Sequence, residues 1–446
     1  MRQRRIDQIS IFERFAKHEI GQELAAISLW IDRHPAIVDL VMADLCQRKV
    51  LPTGREGLSA DAVLRCAVLK QHRQLSYEEL AFHLEDSSSF IAFARLPLGW
   101  SPKKSVLHKT ISVISAETWE AINLLLIGEA RREKIEDGTV IRIDSTATDA
   151  LMHEPSDSSL LLDAMRVMDR LLEDVRELPG GASFTWRNHR RMAKRRAQAI
   201  QHCRSESGRE ALYRDLVAVV RESVAAVERA RQQLAHHMTL EVIVWRAAVK
   251  QYLPLIARII DQTVRRVFRG EAVPAREKLV SLFEPHADII VKGSRKVQYG
   301  HKLNLTTGRT GLILDIVVES GNPADAERLL PMLERHVDHY GAAPRQAAVD
   351  GGYASANNLA QAKAMGVEDM AFHKKCRLAI EDMVKSHWVY RKLRNFRAGI
   401  EANISWLKRS YGLRRCTWRG LAHFNAYIWS SVVAYNMALL AKLTAT

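Results

Sequence analysis

Apolar residues recur at three- and four-residue steps from residue 11 to about residue 95, the spacing of helices that each bury one face. Within "SADAVLRCAVLKQHRQLSYEELAFHLEDSSSFIAFARL", Ser59 and Ser76 stand where helix N-caps belong. Pro97, Gly99 and Pro102 break the pattern, and a further helical stretch is predicted over 106–134. At "GTVIRIDSTAT" (138–148) the period changes. Val140, Ile141 and Ile143 lead into Asp144 and then small hydroxyl residues, which predicts a buried strand ending at that aspartate.

Long helices return over 158–269, and strands resume at "DIIVKG" (288–293). "GHKLNLTT" and "GLILDIVVES" flank Gly308, Arg309 and Thr310, a hairpin signal. An amphipathic helix is predicted over 325–340 with Gly341 as its stop, and "RQAAVDGGY" reads as a short buried strand ending at Asp350. "ASANNLAQAKAMG" reads as a helix, "VEDMAFH" as a strand, and 395–409 as a last amphipathic helix. The mostly apolar stretch 424–441 contains Asn425, Ser430, Ser431 and Asn436, each costly in lipid, so it is expected as a buried terminal helix and not a membrane span.

Charge changes the picture more than composition does. The net charge is +15 and the pI about 9.7, which suits a polyanionic partner, nucleic acid before membrane. "RNHRRMAKRR" concentrates Arg187, Arg190, Arg191, Lys194, Arg195 and Arg196, a predicted phosphate-contacting patch. Cys46, Cys66, Cys203, Cys376 and Cys416 are scattered and form no CxxC pair, which argues for reduced thiols in the cytoplasm and against a structural zinc site. The basic N-terminus, "MRQRRIDQISIFERF", lacks the apolar run of a signal peptide. No glycine-rich nucleotide loop is present, so no nucleotide cofactor is expected.

From Arg391 to Arg415 eight basic residues surround one acid, Glu401. An Arg397–Glu401 helix ion pair contributes only ~0.2–0.5 kcal/mol and leaves the excess of cations unexplained. Asp144 and Asp350, taken singly, are ordinary strand-end aspartates. Together with Glu401 they make a different set. Three converging carboxylates repel one another unless a divalent cation neutralises them, and hard oxygen ligands suit Mg2+ or Mn2+, with two ions expected. Arg397, four residues before Glu401, and Lys408, seven after, share its helix face and are expected to hold DNA phosphate. Ile400, Ile404 and Leu407 would anchor this helix; Trp406 could stack on an unpaired base, but core packing is the expected role.

"RIDSTAT", "AVDGGYAS" and "RAGIEANISWLKRSYGL" resemble the three acidic motifs of bacterial insertion-sequence DDE transposases. The spacing of Arg397, Glu401 and Lys408 matches the tail of their Tyr-Arg-Glu-Lys signature, with Arg394 at the tyrosine position. "HEPSDSSLLLDAMRVM", "SLFEPHADIIVKG", "YGHKLNLTT" and "GNPADAERLLPML" look like the ISNCY-type group. The resemblance implies an α/β RNase H-like catalytic core, a mixed five-stranded sheet with helices. An α-helical N-terminal domain (1–135) would precede the core (136–157 and 284–415). A basic helical insertion after the first strand (158–283) and a C-terminal helix packed on the core (416–446) complete it. It also implies Asp144, Asp350 and Glu401 as the catalytic, metal-binding triad.

The function expected on this basis is metal-dependent cleavage of double-stranded DNA at transposon ends and strand transfer into target DNA, by a homo-oligomer of at least two chains near the nucleoid. The rivals are a stand-alone RNase H-like nuclease and a catalytically inactive DNA-binding relative. Asp149 is expected beyond the strand end, and Asp157 as an N-cap of the insertion. His336 and His339 share a helix face but lack a third zinc ligand in sequence. Lys302 is balanced between phosphate contact and a solvated strand face.

Overall fold

The computed structural model describes residues 3–4, 18–47, 57–97, 99–291, 296–373 and 377–444. The helices expected over 11–17 and 48–56, the last residues of the 288–293 strand, and Cys376 lie outside them. The N-terminal helices are α1 (Glu19–Arg33), α2 (Ala36–Gln47), α3 (Ala60–His72), α4 (Tyr77–Asp86), α5 (Ser88–Ala94), α6 (Lys104–Ile111) and α7 (Ala116–Arg132). Strand β1 (Val140–Asp149) precedes α8 (Asp157–Val175), α9 (Arg190–His202), α10 (Glu206–Gln233) and α11 (Leu240–Thr263). Then come β2 (Asp288–Ile290), β3 (Gln298–Thr307), β4 (Ile313–Val318), α12 (Asp325–Tyr340) and β5 (Gln346–Val349). The chain closes with α13 (Ala356–Ala364), β6 (Asp369–Phe372), α14 (Ile380–Met383), α15 (His387–Ser410) and α16 (Leu421–Thr444). These elements form two compact units, 1–150 with 301–446, and 151–300.

In the first unit β1, β5 and β6 run parallel while β3 and β4 form the antiparallel hairpin. The strand order is β3-β1-β5-β6, with β4 also on β3. The short β2 pairs with Gln298–Gly300 of β3 and makes a sixth strand where five were expected. Leu303, Leu305, Ile313, Ala347 and Val349 are completely buried, as strands covered on both faces require. Gly341 ends α12 at φ 75°, the left-handed conformation a side chain resists.

The expected 106–134 helix is broken. Ser115 caps α7 by accepting from Thr118 N–H at 3.1 Å, and Asp44 accepts from the Ser115 backbone N–H at 2.8 Å, so the chain turns between α6 and α7. Helix α16 is apolar on all sides and buried accordingly. Among the described residues, no single helix is long and apolar enough to cross a membrane. Its partners include α7, α3, α1 and β4. Asn436 donates to Asn123 Oδ1 (2.7 Å) and to Ile313 O (2.8 Å), and accepts from Ile313 N–H (2.9 Å).

Every residue of α3 is buried, including Arg65. Its guanidinium donates to Asp61 (2.8 Å), Asp32 (2.7 Å), Ser28 Oγ (2.7 Å) and Phe93 O (3.3 Å). Burial lowers the Arg65 pKa, and Asp61 is the first of the groups that oppose this. Removing one member of such a network strands the rest without solvent. Arg65→Met is therefore expected to lower stability by about 3 kcal/mol or more. A urea midpoint unchanged from that of the native chain would refute this.

In the second unit α8, α9, α10 and α11 bury a core of their own that includes Leu161, Met165, Leu172, Val220 and Ile259. Trp245 Nε1 donates to Leu171 O at 2.7 Å. The N-cap of α8 is Ser156, not Asp157. Asp157 is the first helical residue, and its buried carboxylate pairs with Arg266 at 2.9 Å.

Candidate active site

Strand β1 continues five residues past Asp144, so this aspartate lies mid-strand and Asp149 ends the strand instead of lying beyond it. The extension has a partner. Asp149 N–H donates to Arg414 O (3.2 Å) and Cys416 N–H to Asp149 O (2.8 Å), which holds the strand extended by the segment after α15. The parallel ladder between β1 and β5 ends with Ile143 opposite Val349. Asp144 is the next residue of β1 and Asp350 the residue just after β5, at the ends of a ladder whose strands lie about 4.8 Å apart. Asp144 accepts from Ser145 N–H at 2.7 Å. Asp350 heads the short 3-10 turn Gly351–Tyr353, and its side chain makes no capping bond there.

Helix α15 supplies the third acid and is longer than expected, beginning at His387. Ile400 and Leu407 are fully buried beneath it, while Ile404 is only partly so. Trp406 is a correction. The residue is 53% exposed, and its ring centroid lies 5.8 Å from the Lys442 ammonium.

Arg397 joins the three acids. Its Nη2 lies 3.0 Å from Asp144 Oδ2 and 3.7 Å from Asp350 Oδ1, and its Nη1 lies 3.1 Å from Glu401 Oε1. The side chains grade from Asp144, 9% exposed, through Asp350, 37%, to Glu401, 65%, so the cluster opens to solvent at Glu401. Arg397 is itself buried, facing carboxylates where the sequence pointed to phosphate, and its Nε has no hydrogen-bond partner. Lys408 is half-buried near the end of α15.

Three carboxylates from a strand, a turn and a helix gather around the Arg397 guanidinium, two on Nη2 and one on Nη1, and hard oxygens of this kind are the donor type that suits Mg2+ or Mn2+. The unpartnered Arg397 Nε fits the same reading, since a settled buried ion pair satisfies its donors.

Arg142 fixes the acids relative to one another. It shares its strand face with Asp144, two residues on. Its buried guanidinium donates to Phe396 O (2.8 Å), Asn403 Oδ1 (2.8 Å) and Thr307 Oγ1 (2.8 Å), and lies 4.6 Å from the Phe396 ring centroid. Strand β1 thereby grips α15 one turn either side of Gly399, where a Cβ would fall on the guanidinium, 3.0 Å from its Cζ. A lone arginine inside an apolar strand was the available signal, and the sequence reading passed it over.

A second support lies behind Asp350. Tyr353, fully buried, donates to Asn304 Oδ1 at 2.8 Å. Burial first, then the Asp325, Asp144 and Asp350 carboxylates, keep its phenol protonated. Lys302 is buried and points inward, to Pro323 O and Asp325 at 2.6 Å each, so neither a phosphate contact nor a solvated face describes it.

His336 and His339 diverge. His336 is buried and stacked on Tyr340 at 4.5 Å, and burial pushes its pKa down to about 4. His339 meets Glu120 and Asp315, with ligand atoms within 4.8 Å of one another. Arg335 already holds both acids, taking each Asp315 oxygen at 2.7 Å and Glu120 at 2.7 Å. This trio reads as an ion-pair network.

The family comparison falls on the site just described. Residues 255–437 match the transposase DDE domain. Over these residues the chain is similar to the DDE domain of transposases. The match includes Asp350, Arg397 and Glu401, and Asp144 lies upstream of it. The mixed sheet with its many helices agrees with the α/β nuclease-like core of such a transposase. Searches of curated proteins and of solved structures give no match.

The basic patch of the second unit lies on α9. Ala193, Ala197 and Ile200 are its buried stripe, and Arg190, Arg191, Lys194 and Arg195 are exposed. Arg187 is exposed just before the helix, and Arg196 pairs with Asp215 at 3.3 Å.

Proposed function

We propose that the chain cuts double-stranded DNA at the ends of an insertion sequence and joins the freed 3′ ends to target DNA, with an RNase H-like core as its catalytic body. The observation that carries this reading is the meeting of Asp144, Asp350 and Glu401 around Arg397, two of the acids within the matched transposase domain. Asp144, Asp350 and Glu401 would hold the metal. When bound, two divalent ions supply activation of the attacking oxygen and stabilisation of the leaving one in an in-line displacement.

The protein residues set the geometry. Asp144, on a buried strand, is the fixed wall of the site, and Glu401, on the exposed side of α15, is the side chain with room to adjust. Arg142 holds strand and helix in register. The same acids serve cleavage and joining, because both steps are displacements at phosphorus. A strand-transfer assay with precut ends and Mg2+ tests the reading. Joined product is expected, while cleavage without joining would favour a stand-alone nuclease. Two ends cut in register call for at least two chains in the working assembly, operating at the nucleoid in the cytoplasm.

Helix α9 is the DNA-gripping element in this reading. Reversing Arg190, Arg191, Lys194 and Arg195 to Glu is expected to weaken DNA binding by at least ~100-fold at moderate salt and to flatten its salt dependence by about four phosphate contacts. An unaltered salt slope would remove α9 from the interface.

A further inference from the structure

We propose that Arg397 is a resident counter-cation of the acid cluster, and that divalent ions must displace its guanidinium to bind. The inference rests on Asp144, Asp350 and Glu401 being the metal ligands. The guanidinium stands among all three, 3.0, 3.7 and 3.1 Å from their oxygens. An Mg2+ ion needs such oxygens at ~2.1 Å, a contact these carboxylates cannot make while they surround a group of guanidinium size. The two cations therefore compete for one position.

Three features make Arg397 displaceable. First, it takes one oxygen from each acid, whereas Arg335 holds both oxygens of Asp315 at 2.7 Å in the stronger fork geometry. Second, its Nε is buried with no acceptor, so its present seat leaves a donor unmatched. Third, Arg397 brings one positive charge to three carboxylates, and a divalent ion would bring two. Exit is open on the Glu401 side, where that side chain is 65% exposed. The arrangement keeps the acids together and neutralised enough to fold before metal arrives. It also sets a threshold metal concentration for activity.

The test is Mn2+ binding to the full chain, followed by electron paramagnetic resonance in the absence of DNA. Arg397→Gln, which removes the charge, is expected to bind Mn2+ at least about tenfold more tightly than the native chain. Its metal-free form should melt at a lower temperature, with a larger rise on adding Mn2+. Arg397→Lys keeps the charge and should bind like the native chain. Arg397→Gln binding no tighter than the native chain would overturn the proposal. Absence of Mn2+ binding by native and variant chains alike would instead bring down the triad reading beneath it. If Arg397→Gln does not fold, the native chain with 15N-labelled arginine decides. The Arg397 side-chain resonance must shift as Mg2+ saturates, and an unmoved resonance rejects displacement.

Discussion

Asp350→Asn and Glu401→Gln are each expected to reduce DNA cleavage by on the order of a thousandfold or more, because the charge stabilisation lost with a metal ligand is several kcal/mol. Binding of DNA should persist, since the basic residues of α9 are untouched. The fold gives these substitutions unusually clean readouts. The Asp350 side chain caps nothing in the turn it heads, and the Glu401 side chain is largely in solvent. Each amide removes one of the carboxylate charges facing buried Arg397 but leaves Asp144, its most buried partner, in place, so melting temperatures should fall by only a few degrees. Asp144 is a poorer probe, being buried beneath Arg397. Cleavage at near-native rate by either variant would show that these acids do not hold the reacting centre.

The second large effect is expected at Gly399. Alanine in a helix interior normally stabilises by about 0.5–1 kcal/mol relative to glycine. Here the sign should reverse, because the new methyl meets the Arg142 guanidinium. Overpacking of this kind costs about 1–3 kcal/mol. The displacement of α15 that relieves it would move Glu401 relative to Asp144, and a shift of about 1 Å at a reacting centre costs on the order of a hundredfold in rate.

Arg142→Gln should also slow cleavage, since Phe396 O and Asn403 lose their donor. The shorter side chain leaves room for the alanine methyl, so the double variant is expected to be more stable than the sum of the single losses by about 1 kcal/mol or more. Urea unfolding of the four chains measures this coupling. Strict additivity would mean that Arg142 and Gly399 do not act on each other and that Arg142 does not register the helix.

Several corrections share one cause. Residues 145–148 are Ser, Thr, Ala and Thr, small side chains that fit strand or loop equally. The far end of β1 is held by pairing of Asp149 with Arg414 and Cys416, more than 260 positions away, and β3 is the strand's hydrogen-bonded neighbour in the sheet. Trp406 looked like core because tryptophan usually is. Its exposure follows from where neighbouring elements leave α15 uncovered, which no local pattern encodes. The break before α7 depends on Asp44, a residue of another helix.

The sequence by itself determined the elements and the nature of the acids. Hydrophobic period separates the helices of 158–269 from the strands around Asp144 and Asp350. Glycine marks the stop at Gly341, and a single carboxylate in a basic helix marks Glu401. These signals are local, written within a few turns of chain. The tertiary structure alone decided that Arg397 faces the acids, that Arg142 and Gly399 lock α15 to β1, and that Lys302 points inward. A charged side chain has solvent, an acid or a phosphate open to it from sequence alone, and the choice is made by which groups the fold brings within hydrogen-bonding distance.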